Sequence, residues 1–174
     1  MKNIILIGPM GAGKSSVGKS LAQVLKMDFY DSDEEIEKST GVDIGWIFDV
    51  EGEEGFRKRE RAVLEELTAK SNIVLATGGG SILEVENQLI LMSNGTLIYL
   101  HVSLSSQDHR TLNDSRRPML RTQNRLEVLK KLYAEREPIY EALADYSIYT
   151  DNRSVQAVVD DIVAWLQAEN KIPL

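Results

Sequence analysis

The chain contains no cysteine and only two histidines, His101 and His109, among its 174 residues. The lack of cysteine excludes disulfides, thiolate catalysis and cysteine-based zinc or iron–sulfur sites, and two histidines are too few for a histidine metal cluster. No apolar run approaches the ~18 residues that a membrane span requires. The N-terminus leads directly into an apolar run without a signal peptide. We therefore expect a cytoplasmic protein with no membrane partner.

Positive charge is also scarce, since 27 acidic residues face 20 lysines and arginines and the net charge is −7. This balance argues against general binding to nucleic acid. The charge is uneven, because residues 110–136 carry +5 and the remainder carries −12. A basic island in an acidic protein suggests a small anionic ligand. A solvated helix face explains Lys130 and Lys131, but it suits Arg116 and Arg117 less well because Pro118 indicates a loop there.

What the chain does have is a complete phosphate-binding loop. Residues 8–15, GPMGAGKS, match the pattern G-x-x-x-x-G-K-[ST] in full. An apolar run precedes the loop and a helical apolar spacing follows it, which is the strand–loop–helix context that this motif requires. Glycines let backbone N–H groups turn toward phosphate oxygens, and the helix start adds unpaired donors. The motif predicts that Lys14 reaches nucleotide phosphates and that the Ser15 hydroxyl binds Mg²⁺.

Strand-like and helical patterns alternate along the rest of the chain. The predicted strands cover residues 3–7, 28–30, 73–76, 96–102 and 146–149. The predicted helices cover residues 15–25, 33–39, 52–71, 85–92, 124–136 and 154–168. This alternation predicts an α/β fold in one domain, residues 1–174, with helices on both faces of a parallel sheet. Ligands of such sheets bind beyond the carboxyl ends of the strands.

Two of those strand ends carry groups suited to a second ligand. Asp31 and Asp33 follow the second strand, so one carboxylate could hold Mg²⁺ and the other could accept or orient a substrate hydroxyl. The competing interpretation is that Asp33 only caps the next helix. Gly78, Gly79 and Gly80 follow the third strand, where they permit close approach and offer N–H donors, unless they form only a mobile turn.

Arginines supply the opposite charge. Arg57 lies in a helical segment with Lys58, Arg59 and Arg61, of which only one or two should point inward. An arginine fork suits a carboxylate. Arg117 could sit on a closing loop and neutralise a transferred phosphoryl group.

In their order along the chain, these residues resemble bacterial shikimate kinases. The resemblance rests on the phosphate loop, Asp31-Ser32-Asp33, Gly78-Gly79-Gly80, Arg116-Arg117-Pro118 and Arg136-Glu137-Pro138-Ile139-Tyr140, and also on residues 44–48 and 51–57. It extends over nearly the whole chain. It implies transfer of the ATP γ-phosphoryl group to the 3-hydroxyl of shikimate. It also implies a three-layer αβα P-loop kinase fold with a five-stranded parallel sheet and a mobile lid at roughly 110–125.

The resemblance assigns roles to individual residues. ATP would bind to Gly11, Ala12, Gly13, Lys14, Ser15 and Ser16, with Arg117 on the lid and Arg153 near the adenine. Asp31 would contact Mg²⁺, and Asp33 would bind the shikimate hydroxyls and deprotonate or orient the acceptor. Arg57 and Arg136 would grip the shikimate carboxylate beside the backbone of Gly78, Gly79 and Gly80. The catalytic set is then Lys14, Asp31, Asp33 and Arg117, in a monomer.

Two other functions stay open at this point. One is a kinase for another small polyol acid, such as gluconate, or for a nucleotide. The other is a nucleotide-dependent switch or binding module, although the chain contains no Asn-Lys-x-Asp guanine motif. An inactive relative is disfavoured because Lys14, Ser15, Asp31 and Asp33 are all present.

Overall fold

A five-stranded parallel sheet in the order β2-β3-β1-β4-β5 forms the centre of the fold. The computed structural model describes residues 2–113, 120 and 123–172. The strands are β1 (Asn3–Ile7), β2 (Asp28–Asp31), β3 (Ile73–Ala76), β4 (Gly95–His101) and β5 (Tyr146–Tyr149). The helices are α1 (Lys14–Leu25), α2 (Ser32–Thr40), α3 (Ile44–Thr68), α4 (Val85–Asn94), α5 (Leu104–Thr111), α6 (Arg125–Leu143) and α7 (Val155–Ala168).

Strand β1 occupies the middle of the sheet because its side chains are apolar on both faces. Ile4 and Leu6 pack with α1 and α7 on one face. Ile5 and Ile7 pack with α3, α4 and α6 on the other. A strand buried on both faces has a continuous apolar run, as parallel sheets require. The predicted α/β fold, with helices covering both faces of the sheet, is thereby confirmed.

The predicted elements differ from the structure in three helices. Helix α5 was not predicted, because only Leu104 in it is a large apolar residue. Helix α3 begins at Ile44 rather than at residue 52. Helix α6 continues to Leu143 rather than ending at residue 136.

The early start of α3 reflects a kink that separates it into two segments. Gly52 has φ 71° and ψ −179°, which interrupts the helix, and a positive φ favours glycine. The segment before the kink is capped by Asp43, which accepts a hydrogen bond from the Trp46 N–H at 2.7 Å. Its residues Ile44 and Ile47 pack with Ile36 of α2. The segment after the kink carries Arg57.

Helix α6 passes through Pro138, which lacks a backbone donor. A proline inside a helix costs about 3 kcal/mol. Arg136 and Tyr140, on either side of it, are both buried. The burial of these two side chains offsets this cost. The helix therefore continues past residue 136, where the prediction from local sequence ends it.

Half of the predicted lid, 8 of the 16 residues in 110–125, lies outside the described residues. Within the lid, the structure does not describe residues 114–119 and 121–122, which include Arg116 and Arg117. The described neighbours are the end of α5, Leu120 and the start of α6. Among the helices of the described part, none is long and apolar enough to cross a membrane.

Candidate active site

The phosphate-binding loop connects β1 to α1, as its motif predicts. Gly13 is the N-cap of α1 and has φ 92°, a conformation that favours glycine. Lys14 is buried, and its Nζ donates to the carbonyl oxygens of Gly8 at 2.7 Å and Pro9 at 2.8 Å. The lysine ammonium is therefore held over the loop at the start of the helix, where an anion is favoured. This arrangement fits nucleotide phosphates.

Ser15 and Asp31 bring two oxygen ligands together beside the loop. The Ser15 hydroxyl donates a short hydrogen bond to Asp31 Oδ2. Asp31 Oδ1 accepts from the backbone N–H groups of Asp33 at 3.0 Å and Glu34 at 3.3 Å. Asp31 therefore caps α2, and the interpretation of Asp33 as the N-cap is wrong. A hydroxyl beside a carboxylate is an oxygen donor set that suits Mg²⁺.

A cleft of about 300 Å³ joins these groups to the other strand ends. It is lined by Gly11, Gly13, Lys14, Ser15, Ser16, Asp31, Asp33, Thr77, Gly79, Arg110 and Thr111. Residues from the ends of β1, β2 and β3 therefore face one space. Ala12, in the same loop, is buried.

The three consecutive glycines after β3 each lie against a different charged side chain. A Cβ placed on Gly78 would lie 2.8 Å from Asp33 Oδ1. One on Gly79 would lie 3.5 Å from an Arg136 guanidinium nitrogen. One on Gly80 would lie 2.2 Å from an Arg57 guanidinium nitrogen. The triplet therefore brings one carboxylate and two guanidinium groups around a short stretch of backbone.

One N–H group of the glycine triplet is paired with a side chain of the protein. The Gly78 N–H donates to the buried Ser32 hydroxyl at 3.1 Å. This N–H is therefore paired within the protein, Gly78 also allows the close approach of Asp33, and its contact with a ligand stays a prediction.

Arg57 is the inward-facing member of its basic cluster. Its side chain is 11% exposed, whereas that of Lys58 is 75% exposed. Arg57 donates to Glu60 Oε1 at 2.8 Å and to Glu53 Oε1 at 3.3 Å. Burial alone would lower the pKa of Arg57, but the two carboxylates outweigh burial and raise it. The guanidinium thus remains a cation beside Gly80.

Glu60 is a site residue that the sequence analysis missed. It is fully buried, and its second oxygen accepts from the Ser81 hydroxyl at 2.8 Å. Glu60 therefore fixes Arg57 and the segment after Gly80 at once. No motif marks it, and only its position three residues after Arg57 on a helix could have suggested the pair.

Arg136 of α6 lies beside the same glycine triplet. It is 4% exposed and lies near Gly79. Tyr140, one helical turn later, donates a short hydrogen bond to the Gly79 carbonyl. Burial raises the pKa of Tyr140, so it remains a donor. Helix α6 is thus attached to the glycine triplet through Tyr140, and Arg136 lies beside the same backbone.

Three further arginines concern the nucleotide, namely Arg110, Arg153 and Arg117. Arg110, which the sequence analysis did not single out, lines the cleft and donates to the Gly11 carbonyl at 3.0 Å. Arg153 instead donates to Asp161 at 2.6 Å and to the Ala157 carbonyl at 3.1 Å, both on α7. Its place near an adenine remains a prediction, and so does the role of Arg117, which lies outside the described residues.

A parallel sheet with a phosphate loop after its central strand, and a carboxylate and arginines beside that loop, define a P-loop kinase. A family model described as shikimate kinase matches residues 10–167. The chain is 54% identical over 169 residues to a shikimate kinase of Legionella pneumophila, covering 97% of each chain. The chain therefore belongs to the shikimate kinase family.

Solved structures agree at the level of the whole fold. A shikimate kinase from Acinetobacter baumannii in complex with shikimate has a TM-score of 0.95 and 43% identity, over 99% of this chain and 96% of that one. A gluconokinase from Sinorhizobium meliloti has a TM-score of 0.62 and 19% identity, over 96% of this chain and 92% of that one. The second likeness concerns the fold alone.

Proposed function

We propose that this protein transfers the γ-phosphoryl group of ATP to the 3-hydroxyl of shikimate, a step toward chorismate and the aromatic amino acids. The observation that carries this proposal is the grouping of Asp33, Arg57 and Arg136 around the glycine triplet. Shikimate is a small acid with several hydroxyls, so it requires cations for its carboxylate and a carboxylate for its hydroxyls. The grouping supplies both next to the phosphate loop.

On the donor side, the residues present fit ATP with a metal ion, which we propose to be Mg²⁺. Gly11, Ala12, Gly13 and Ser16 would bind the phosphates together with Lys14, while Ser15 and Asp31 would hold the metal ion. When bound, ATP supplies the phosphoryl group and Mg²⁺ neutralises part of the phosphate charge. Lys14 adds a fixed positive charge, which stabilises negative charge more strongly in a partly buried site.

On the acceptor side, Asp33 orients the 3-hydroxyl and its carboxylate accepts the hydroxyl proton. Arg57 and Arg136 bind the substrate carboxylate and thereby set the position of the ring. The reaction requires positioning and charge neutralisation more than covalent participation by the protein. The chain has no cysteine, and no histidine is among the described residues that line the cleft, which is consistent with this chemistry.

We propose that residues 1–174 act as one domain and as a monomer, with a lid at roughly 110–125 that carries Arg117. Shikimate is then the partner, and neither nucleic acid nor membrane is involved. Since ATP is a cytoplasmic metabolite, we place the reaction in the cytoplasm.

A coupled assay of ADP release tests the proposal. The protein is supplied with ATP, Mg²⁺ and one acceptor at a time, namely shikimate, gluconate, a nucleoside monophosphate, or none. We expect shikimate alone to stimulate ADP release well above the acceptor-free rate. Equal stimulation by gluconate would favour the polyol-acid alternative, and no stimulation by any acceptor would favour a binding module.

A further inference from the structure

A second cluster of ligand-type side chains lies at the carboxyl end of β4. It consists of His101, the last residue of β4, and of Glu137 and Glu141 on α6. His101 Nε2 lies 2.7 Å from Glu141 Oε1. One nitrogen or oxygen ligand atom from each of the three residues lies within 4.8 Å of the others. The kinase chemistry proposed above makes no use of these side chains.

The two glutamates form a like-charged pair directed at one imidazole. They are four residues apart on α6, so they share a helix face, where two like charges repel each other. Among ion pairs that join described residues, Glu137 takes part in none and Glu141 pairs only with His101. Among the described residues, no lysine or arginine therefore forms an ion pair with Glu137 or Glu141.

The imidazole is buried among aromatic rings. His101 is 6% exposed, and its ring centroid lies 3.7 Å from that of Tyr99 and 4.5 Å from that of Tyr149. Burial lowers the pKa of His101, against the opposing effect of Glu141 and Glu137. The neutral form of an imidazole is the form that binds metal ions.

We propose that His101, Glu137 and Glu141 form a binding site for a divalent transition-metal ion such as Zn²⁺. One imidazole nitrogen and two carboxylate oxygens are ligands that Zn²⁺ accepts, with solvent completing the coordination. Mg²⁺ and Ca²⁺ prefer sites made of oxygen alone, so the imidazole selects against them. The side chain of Glu141 is 46% exposed, which gives an ion access from solvent.

This site is distinct from the metal position proposed at Ser15 and Asp31. On α6, Arg136 and Tyr140 face Gly79, whereas Glu137 and Glu141, each one residue further along the chain, face His101. An ion bound there would connect β4 to α6, the helix that carries Arg136. We expect such a connection to stabilise the folded protein, because the ion binds the folded arrangement only.

Histidine NMR tests the site directly, since the chain has only two histidines. Tag-free protein without nucleotide is titrated with Zn²⁺ while the imidazole nitrogen resonances are followed. We expect the His101 resonances to shift on binding, while those of the exposed His109 remain unchanged. Mg²⁺ at the same concentrations should leave both unchanged. A Zn²⁺ titration that shifts neither histidine, or only His109, would overturn the proposal.

Calorimetry on variants provides the second measurement. Glu137→Gln and Glu141→Gln should each weaken Zn²⁺ binding at this site at least tenfold and abolish the Zn²⁺-dependent rise in Tm. Glu135→Gln removes an exposed carboxylate of the same helix and should bind Zn²⁺ like the unmodified protein. Because both test positions are at least partly exposed, these variants should fold. Unchanged Zn²⁺ affinity in both test variants would refute the assignment.

Discussion

Replacing Gly80 by alanine should displace Arg57 and leave the phosphate-binding loop unchanged. The new Cβ would lie 2.2 Å from a guanidinium nitrogen, whereas ordinary contacts begin at 3.4 Å. The guanidinium must therefore move by about 1.2 Å, the difference between these distances. The backbone at Gly80 does not have a positive φ, so the effect is one of contact and not of backbone strain.

The magnitude follows from the role of Arg57 in positioning. A misplacement of ~1 Å in a positioning group can cost on the order of 10²-fold in rate. We expect kcat/KM for shikimate to fall roughly 10- to 100-fold, mainly through KM, with the KM for ATP nearly unchanged. Steady-state kinetics with each substrate varied in turn measures both values.

Two controls separate this effect from a general loss of structure. Gly41→Ala introduces the same methyl group at the C-cap of α2, where φ is 73° and a Cβ meets nothing within 4 Å. It should lower stability by ~1–2 kcal/mol through the left-handed backbone and leave the KM for shikimate unchanged. Gly80→Ala in an Arg57→Ala background should add little, since the displaced group is gone. An equal cost in both backgrounds would refute the reasoning.

Substitutions at three other positions follow from the same site. Asp33→Asn keeps the side-chain shape but removes the charge that accepts the proton, so turnover should fall ~10²-fold or more while calorimetry shows ATP binding preserved; near-normal turnover would remove Asp33 from this role. Asp31→Ala should cost about 0.5–2 kcal/mol of unfolding free energy through the lost helix cap and raise the Mg²⁺ concentration needed for activity. Asp31→Asn, which can keep the cap, should show mainly the Mg²⁺ effect. Tyr140→Phe removes the hydrogen bond to Gly79 but not the stacking on Tyr99, so we expect a loss of ~1 kcal/mol and a higher KM for shikimate; a change confined to the KM for ATP would contradict this.

Local sequence predicted the elements whose structure depends on residues that are neighbours in the chain. The phosphate loop is a contiguous motif, and β1, β3 and β5 are short apolar runs, so their bounds agree with the structure. Asp31 and Asp33 could be placed at the site because strand ends converge in a parallel sheet.

The features that the sequence did not predict depend on contacts between segments that are distant in sequence. Glu60 is a site residue only because the fold buries it between Arg57 and Ser81. Helix α6 passes Pro138 because Arg136 and Tyr140 are packed against the glycine triplet. The Gly78 N–H is taken by Ser32 of another element. Apart from the three-residue spacing of Arg57 and Glu60 on one helix, none of these pairings has a signature in a single sequence.

Helix α6 also determines where the chain can change in length. A helix turns by about 100° per residue. The face of α6 that carries Glu137 and Glu141 is therefore rotated by about 100° from the face that carries Arg136 and Tyr140. An insertion between Arg136 and Tyr140 would turn one end of the helix relative to the other. An acidic side chain could then face Gly79 in place of a basic one. Length changes here should abolish shikimate binding, whereas the exposed turn at Gln123 and Asn124, which precedes the helix, should accept an extra residue.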